Sequence, residues 1–553
     1  MVSVLISFGY MAFTGFFLGY GIKILAERFL GYRIQGILDL EIAGLAAATV
    51  YAGIFSLFSG VGLWANVGLL LLCVLAAVKG RKEIPVFFRS KKKELTPMEL
   101  FFLIILIFLM AYGSSRGYMH FDTGLYHAQS IRWIEEYGVV PGLGNLHSRL
   151  AYNSSTFTLT ALYSGAFLTG RSLHTVAGFL ALLLSLKGFS VVQVWKRKKI
   201  VLSDFLKVAL LWYLSMIYTE MVSPASDYFA MLFLFYLVIS WTELEEKQEE
   251  SIVPYSLLCV LLAVTVTIKL SAAIMLLLVL KPAVVLVRQK QYRQIAIYLI
   301  LGVIAVFPYL ARNVILSGWL VYPFTGLDLF NPDWKIPVGE VQYDAEEIKV
   351  YAKGMTDVLL KDTPFQQWFP GWFGKLKGLE KLWVTASWLS LAAGAVWSLG
   401  KLLHRKREVY GIVFLEMVLI AGFLFWQLGT PLVRYGYLYI LAFPFFTAGL
   451  WFLGLPEGGK IKWKIMVTAL LLLGIYKGKN LLQDMIRYAH LDNYFWQQDY
   501  TAGEADSYEI GGVTIYVPLE SGQIGYDLFP SSPYVREDIE LRGKTLQEGF
   551  RKK

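Results

Sequence analysis

The chain has 553 residues, of which 56% are hydrophobic and 17% charged, and its mean hydropathy is +0.53. That composition excludes a soluble globule, which would lack the polar surface to cover itself, and leaves lipid as the solvent. The net charge of +10 does not point to nucleic acid, because the basic residues form short clusters between apolar runs and no basic stripe on a polar helix.

In chain order, segments apolar enough to span a membrane lie near 3–25, 38–58, 61–79, 98–114, 172–195, 203–220, 227–243, 254–268, 270–287, 294–311, 382–402, 410–428, 436–454 and 464–478, about fourteen in all. The first, 2–24, lacks a basic leader and an A-x-A cleavage site and is expected to be a retained span rather than a signal peptide. The pair 254–268 and 270–287 is short and separated by Lys269 alone, which predicts a tight hairpin or one broken, re-entrant helix. Cys73 and Cys259 fall inside apolar runs without Cys or His at metal-ligand spacing and are packing residues.

The basic run 79–93, with Arg81, Lys82, Arg89, Lys91 and Lys92, places its loop in the cytoplasm. By parity the clusters at 196–199, at Arg288, Lys290 and Arg293, at 404–407, and at Lys460, Lys462 and Lys464 join it. The loop 243–250 is acidic, an exception of small weight because acidic residues contribute little to orientation. The other side receives 115–171, the turn 221–226, the loop 312–381, the turn 429–435 and everything after about 480. Trp368, Phe369, Trp372 and Phe373, after Pro364, have the aromatic character of an interfacial segment. Near the C-terminus the diglycine Gly511-Gly512 between strand-like 507–510 and 513–517 predicts a β-hairpin, and so a small mixed α/β cap.

Ionisable groups at the outer ends of spans are functional candidates, since a charge at membrane depth is costly. The densest stretch is 118–138, where a helix beginning near Asp122 carries Asp122, Tyr126, Gln129 and Trp133 on one face and Ile131 and Ile134 elsewhere. A carboxylate there can bind a divalent cation or take a proton from a hydroxyl, and His127 can do the latter near neutral pH. The competing reading has Asp122 as a plain helix cap and His127 packed against headgroups. His147 and Arg149 could meet an anionic substrate or lipid headgroups. Asn153-Ser154-Ser155 reads as a helix start in preference to a glycosylation sequon, and 156–169 as a re-entrant or surface-lying stretch.

Further along, the turn at Ser223-Pro224 brings a second carboxylate, Asp227, which joins Asp122 around a cation or caps the next helix. Lys269 faces a polar cavity or snorkels. Arg312 and Arg434 meet the headgroup layer, where a guanidinium grips a phosphate bidentately or snorkels; Arg434, between Pro431 and Gly436, is the stronger phosphate ligand. No phosphate-binding Gly-rich loop, CxxC set, HExxH or nucleophile elbow occurs, which removes the usual anchors of ATP-driven pumping and zinc hydrolysis.

Together, D-x-x-x-Y at Asp122 and Tyr126, S-P-x-x-D at Ser223 to Asp227, R-N-x-x-x-x-G-x-x-x-Y-P from Arg312 to Pro323, and P-x-x-R-Y-G at Pro431 to Gly436 resemble GT-C superfamily glycosyltransferases. The run from Asp122 to Gln129, with 141–149 and Asn153, also looks like an uncharacterised bacterial family of multi-pass membrane proteins. The resemblance begins near residue 98 and implies an all-α polytopic GT-C-like fold, an outer-loop carboxylate at Asp122 beside an acceptor or a divalent cation (Mg or Mn), and a polyprenyl-phosphate sugar donor. Four spans precede Asp122, whereas many GT-C enzymes place the acidic loop after the first.

The expected organisation is N-terminal helices over 1–97, a GT-C-like core over 98–311, an extracytoplasmic loop 312–381, C-terminal helices over 382–480 and an extracytoplasmic segment 481–553. The expected activity is sugar transfer from a lipid-linked donor to an extracytoplasmic glycan, lipid or protein at the cell membrane. Asp122 and His127 would be catalytic, and Arg434, Arg312, Tyr126, Gln129, Lys269, His147 and Arg149 would bind substrate. Asp122 and Asp227 would hold any metal. The alternatives are a polysaccharide polymerase or ligase working without metal, and a flippase, which would need polar residues through the midplane.

Overall fold

Each of the fourteen apolar segments forms a helix in the computed structural model, which describes every residue except 95, 405–408, 456–458, 490–493, 501, 502 and 521, and no side chains at 91–94, 459 and 460. The basic residues expected at 405–407, and the side chains of Lys91, Lys92 and Lys460, therefore lie outside the described residues. Among the described residues, eleven helices are long and apolar enough to cross a membrane, which makes the chain a helical multi-pass membrane protein. The remaining three, Leu202–Ile217, Val253–Ile268 and Leu438–Gly454, are shorter. The last long helix runs through Ile461–Arg487, past the expected end at 478, because the sequence after Tyr476 holds no helix breaker before Arg487 except Gly478.

Local signals account for the helix ends and close packing. Thr96 accepts from the Glu99 amide at 3.2 Å while the Glu99 carboxylate accepts from the Thr96 amide at 3.0 Å, a reciprocal cap that starts Pro97–Ser115. Helices Val2–Leu30 and Ile37–Phe55 press backbone to backbone, and a Cβ on Gly19 would stand 1.9 Å from the Leu40 carbonyl oxygen. Only glycine permits that approach, as small residues do at membrane helix contacts generally.

Val253–Ile268 and Leu270–Arg288 form the tight hairpin, reversing at Lys269, whose backbone is extended (φ −152°, ψ 121°). The Lys281 ammonium returns to within 3.7 Å of the Tyr255 ring centre, near the start of the first arm. At the same end of the molecule the acidic run is neutralised. Glu243 pairs with Lys187 at 2.7 Å and Lys207 at 2.9 Å, Glu245 with Lys281, and Asp204 with Arg197 at 2.8 Å. The charge exception at 243–250 thus sits among lysines, and this is called the basic end below.

The other end carries the connecting mass. Segment 156–169 is a buried helix, Ser155–Tyr163, started by the Ser154 hydroxyl accepting from the Thr156 amide, and then the short Ala166–Thr169. Gln497 gathers three helix ends: its amide nitrogen donates to the Ser114 carbonyl at 2.6 Å, its oxygen accepts from the His174 amide at 2.8 Å, and its backbone amide meets Ser3 Oγ at 3.1 Å. The hairpin forms as expected, Ala505–Ile510 against Val513–Pro518, with Gly511 and Gly512 at φ 59° and 82°. A second, unforeseen sheet pairs Ile539–Leu541 with Phe550–Lys552. This cap docks on helix Ala128–Tyr137 through buried Trp133, Ile515, Leu541 and Phe550, each large apolar side chain contributing about 2–3 kcal/mol.

Candidate functional site

Irregular helical pieces meet at the connecting end. The first is a π-helical turn, Thr123–His127, leading into Ala128–Tyr137. The second is the joint at Lys269, from which the 3-10 helix Leu270–Val279 departs. The third is the 3-10 turn Val433–Tyr435 followed by the π-helical Leu438–Ala442. Insertions of this kind cost hydrogen-bond quality and occur often at functional sites. Pro431 opens the third piece, and its carbonyl accepts from the Trp372 indole at 3.0 Å. The aromatic segment, helix Phe365–Lys375, therefore braces this turn.

Arg434 is the centre. Its Nη2 donates to Asp122 Oδ2 at 2.6 Å, and its Nε lies 3.2 Å from Asp227 Oδ2 as a charge contact without hydrogen-bond alignment. The Lys269 ammonium pairs with the other Asp227 oxygen and stands 3.6 Å from the Tyr435 ring centre. Thr123 Oγ1 meets Ser223 Oγ at 2.5 Å and ties the two acidic stretches together. Asp122 stands at the N-cap position of the π-helical turn without a side-chain cap hydrogen bond, and Asp227 lies inside its helix behind the N-cap residue Ala225. Asp122 and Arg434 keep 20% and 25% of their side chains exposed and Asp227 only 8%, which makes Asp122 and Arg434 the open face.

The site contains a residue that sequence reasoning missed. His120 contacts Arg434 Nη1 through Nε2, and its Nδ1 accepts from the Asp122 amide at 3.1 Å. Burial, then the Arg434 charge, pushes its pKa down to about 4, so it is neutral at pH 7. Burial works to raise the Asp122 carboxyl, but Arg434 and the two histidines outweigh it and hold it below the ordinary carboxylate value. Two carboxylates thus face the Arg434 guanidinium and the Lys269 amine, whose pKa burial and then the Arg434 charge push well below the usual lysine value while Asp227 pairs with it.

The other expected residues divide. His127 is buried behind the site, its ring 4.4 Å from Tyr126 and 5.2 Å from Phe157, and burial pushes its pKa down to about 3. Half-buried Tyr126 leads to a second cluster, its ring 6.2 Å from that of Tyr152. There Arg149 pairs with Asp344 at 3.2 Å and Glu347 at 2.7 Å, and Tyr322 and Tyr152 both donate to Asp344, another residue missed from sequence.

Three residues expected at the site are not brought to it. Arg312 is a buried clip, donating to Asn153 at 2.9 Å, Ser56 at 2.7 Å and the Gly138 carbonyl at 3.2 Å. Asn153 is itself buried, donating to the Tyr309 carbonyl at 2.9 Å, and is no acceptor for a glycan. Gln129 donates to the Leu528 carbonyl at 2.8 Å, so the polar face it shares with Trp133 meets the cap. His147 is buried. Among the described residues, no group of three or more His, Cys, Asp or Glu is placed to hold a metal ion.

Residues 1–441 match the model of a family described as a domain of unknown function, DUF8201. No curated protein matches the chain. No solved structure matches it.

Proposed function

We propose that this chain, which belongs to the DUF8201 family, is a GT-C-like membrane glycosyltransferase that moves a sugar from a polyprenyl-phosphate donor to an extracytoplasmic acceptor. The observation that carries the reading is the convergence of Asp122, Asp227, Lys269, Arg434 and His120 from four distant segments onto one open face at a membrane-helix end. Ion pairs that serve only stability do not require π and 3-10 insertions around them.

In this reading all fourteen apolar helices cross, and the site end faces outward from the cytoplasmic membrane because the basic clusters gather at the other end. Arg434 and Lys269 take the donor phosphate. The acceptor oxygen attacks the anomeric carbon, its proton passes to Asp122, and the bond from that carbon to the phosphate oxygen breaks. The departing phosphate keeps the electron pair, and the guanidinium and ammonium neutralise its charge. Asp122 is suited to the proton because its depressed pKa leaves it ionised at neutral pH.

A second reading, a polymerase or ligase of preassembled lipid-linked glycans, draws on one specific contact. The Arg434 guanidinium lies against both Asp122 and Asp227, where a cation would have to stand. No step above is routed through a metal for that reason.

The test supplies purified protein in vesicles with a radiolabelled polyprenyl-phosphate sugar and candidate acceptors. Wild type is expected to transfer label and Asp122→Asn is not. Unchanged transfer by the variant would remove Asp122 from the mechanism, and lipid movement without transfer would favour a flippase. The donor separates the two transfer readings: the glycosyltransferase uses a lipid-linked single sugar, and the ligase requires a preassembled lipid-linked glycan.

A further inference from the structure

At the basic end, remote from Arg434, a groove of about 390 Å³ is lined by Val396, Trp397, Gly400, Lys401, His404 and Trp451. It lies between helices Gly378–Leu403 and Phe443–Gly454. Its walls are indoles: Trp451 is 46% exposed, and its N–H donates to the Ala393 carbonyl at 3.2 Å, which holds the ring across the neighbouring helix. Its floor is open, because a Cβ on Gly400 would have no atom within 4 Å. Its rim is basic. Lys401 stands 5.4 Å from the Trp397 ring centre, and His404 Nδ1 lies 2.7 Å from the Gly400 carbonyl oxygen, leaving Nε2 free of that contact. Among the described residues no carboxylate lines the groove.

We propose that this groove binds one anionic phospholipid, an acyl chain lying over Gly400 between Trp397 and Trp451 and the headgroup phosphate held at Lys401 and His404. Bulk lipid would cover any apolar face, but an apolar trough that ends in cations without a compensating acid favours a negative headgroup over a zwitterionic one. Indole rings suit the boundary between chain and headgroup. A basic recess between helices at the cytoplasmic level is the geometry that recognises such headgroups, with each Lys near the surface worth about fivefold in affinity. The proposal does not depend on what the site at the other end transfers.

The test is lipid retention by native mass spectrometry after purification of the full chain from micelles holding equal phosphatidylglycerol and phosphatidylcholine. Wild type is expected to retain phosphatidylglycerol at least fivefold over phosphatidylcholine. Lys401→Ala should cut that preference about fivefold and Lys401→Arg should keep it, while Lys349→Ala, an exposed lysine of the connecting end, should change nothing. Gly400→Leu fills the floor without a clash and leaves every charge in place, so its loss of the retained lipid separates the groove from surface charge in general. Equal retention of the two lipids, a Lys401→Ala effect no larger than that of Lys349→Ala, or full retention by Gly400→Leu would each overturn the proposal.

Discussion

Two charged clusters stand at opposite ends of the same helices. At the basic end, Glu243 with Lys187 and Lys207, and Asp204 with Arg197, join regular helices. At the other, Asp227 lies in the first turn of a regular helix, Asp122 and Lys269 border a π-helical turn and a 3-10 helix, and Arg434 sits in a 3-10 turn, with Asp122 and Arg434 open toward solvent. Both sets neutralise their charges, so charge balance alone does not separate a structural network from a reactive one. What separates them is the backbone: the first set is borne on α-helices with one 3-10 turn, Ser190–Val192, between Lys187 and Arg197, and the second borders two π-helical turns as well as 3-10 pieces, distortions that packing alone would not select.

The comparison breaks most visibly under mutation. Arg434→Ala should lower transfer about 1,000-fold while the helices stay intact, since in the proposed reaction it removes the main donor to the leaving phosphate; initial rates beside circular dichroism check this. At the basic end the order of effects reverses. Glu243→Gln strands two cations and should cost about 3 kcal/mol of stability with no change in rate per folded molecule, read by thermal unfolding and specific activity.

Acid sharpens the contrast further. His120 and His174 are depressed to about 4 and His127 and His147 to about 3, in each case first by burial. Below the ordinary histidine value of about 6.5 the unfolded chain binds protons that the folded one refuses, so stability falls as pH drops from there toward 4. His120→Gln should flatten the pH dependence of unfolding. The smallest effect belongs to the cap: Gln129→Ala removes its bond to Leu528 and should cost about 1 kcal/mol, seen as faster proteolysis after residue 503.

Much of this was legible in the chain. Hydropathy placed every apolar helix, and the expense of charge at membrane depth singled out Asp122, Asp227, Lys269 and Arg434 before their meeting was visible. His120 was not legible, because it precedes the helix and carries no periodicity. Asp344 reads as one acid among Glu346 and Glu347 on a solvated face, and only the fold brings Arg149 and two tyrosines to it. The face shared by Gln129 and Trp133 was expected to serve the site, and it meets the cap instead, because its partners Leu528 and Phe529 lie some 400 residues later in the sequence. The three-residue strands Ile539–Leu541 and Phe550–Lys552 are too short to alternate detectably. Arg312 shared its motif with Arg434 in chemistry but not in place, for it is sealed by Asn153 and Ser56.

The claim that Asp122 and Arg434 act on a substrate, and do not merely hold each other, is tested most directly by exchanging them. The double variant Asp122→Arg with Arg434→Asp preserves an opposite-charge pair across the same gap, and its transfer rate from a radiolabelled polyprenyl-phosphate sugar is measured beside its melting temperature. The expected result is a protein that melts close to wild type and transfers nothing; transfer restored to near the wild-type rate would contradict the account.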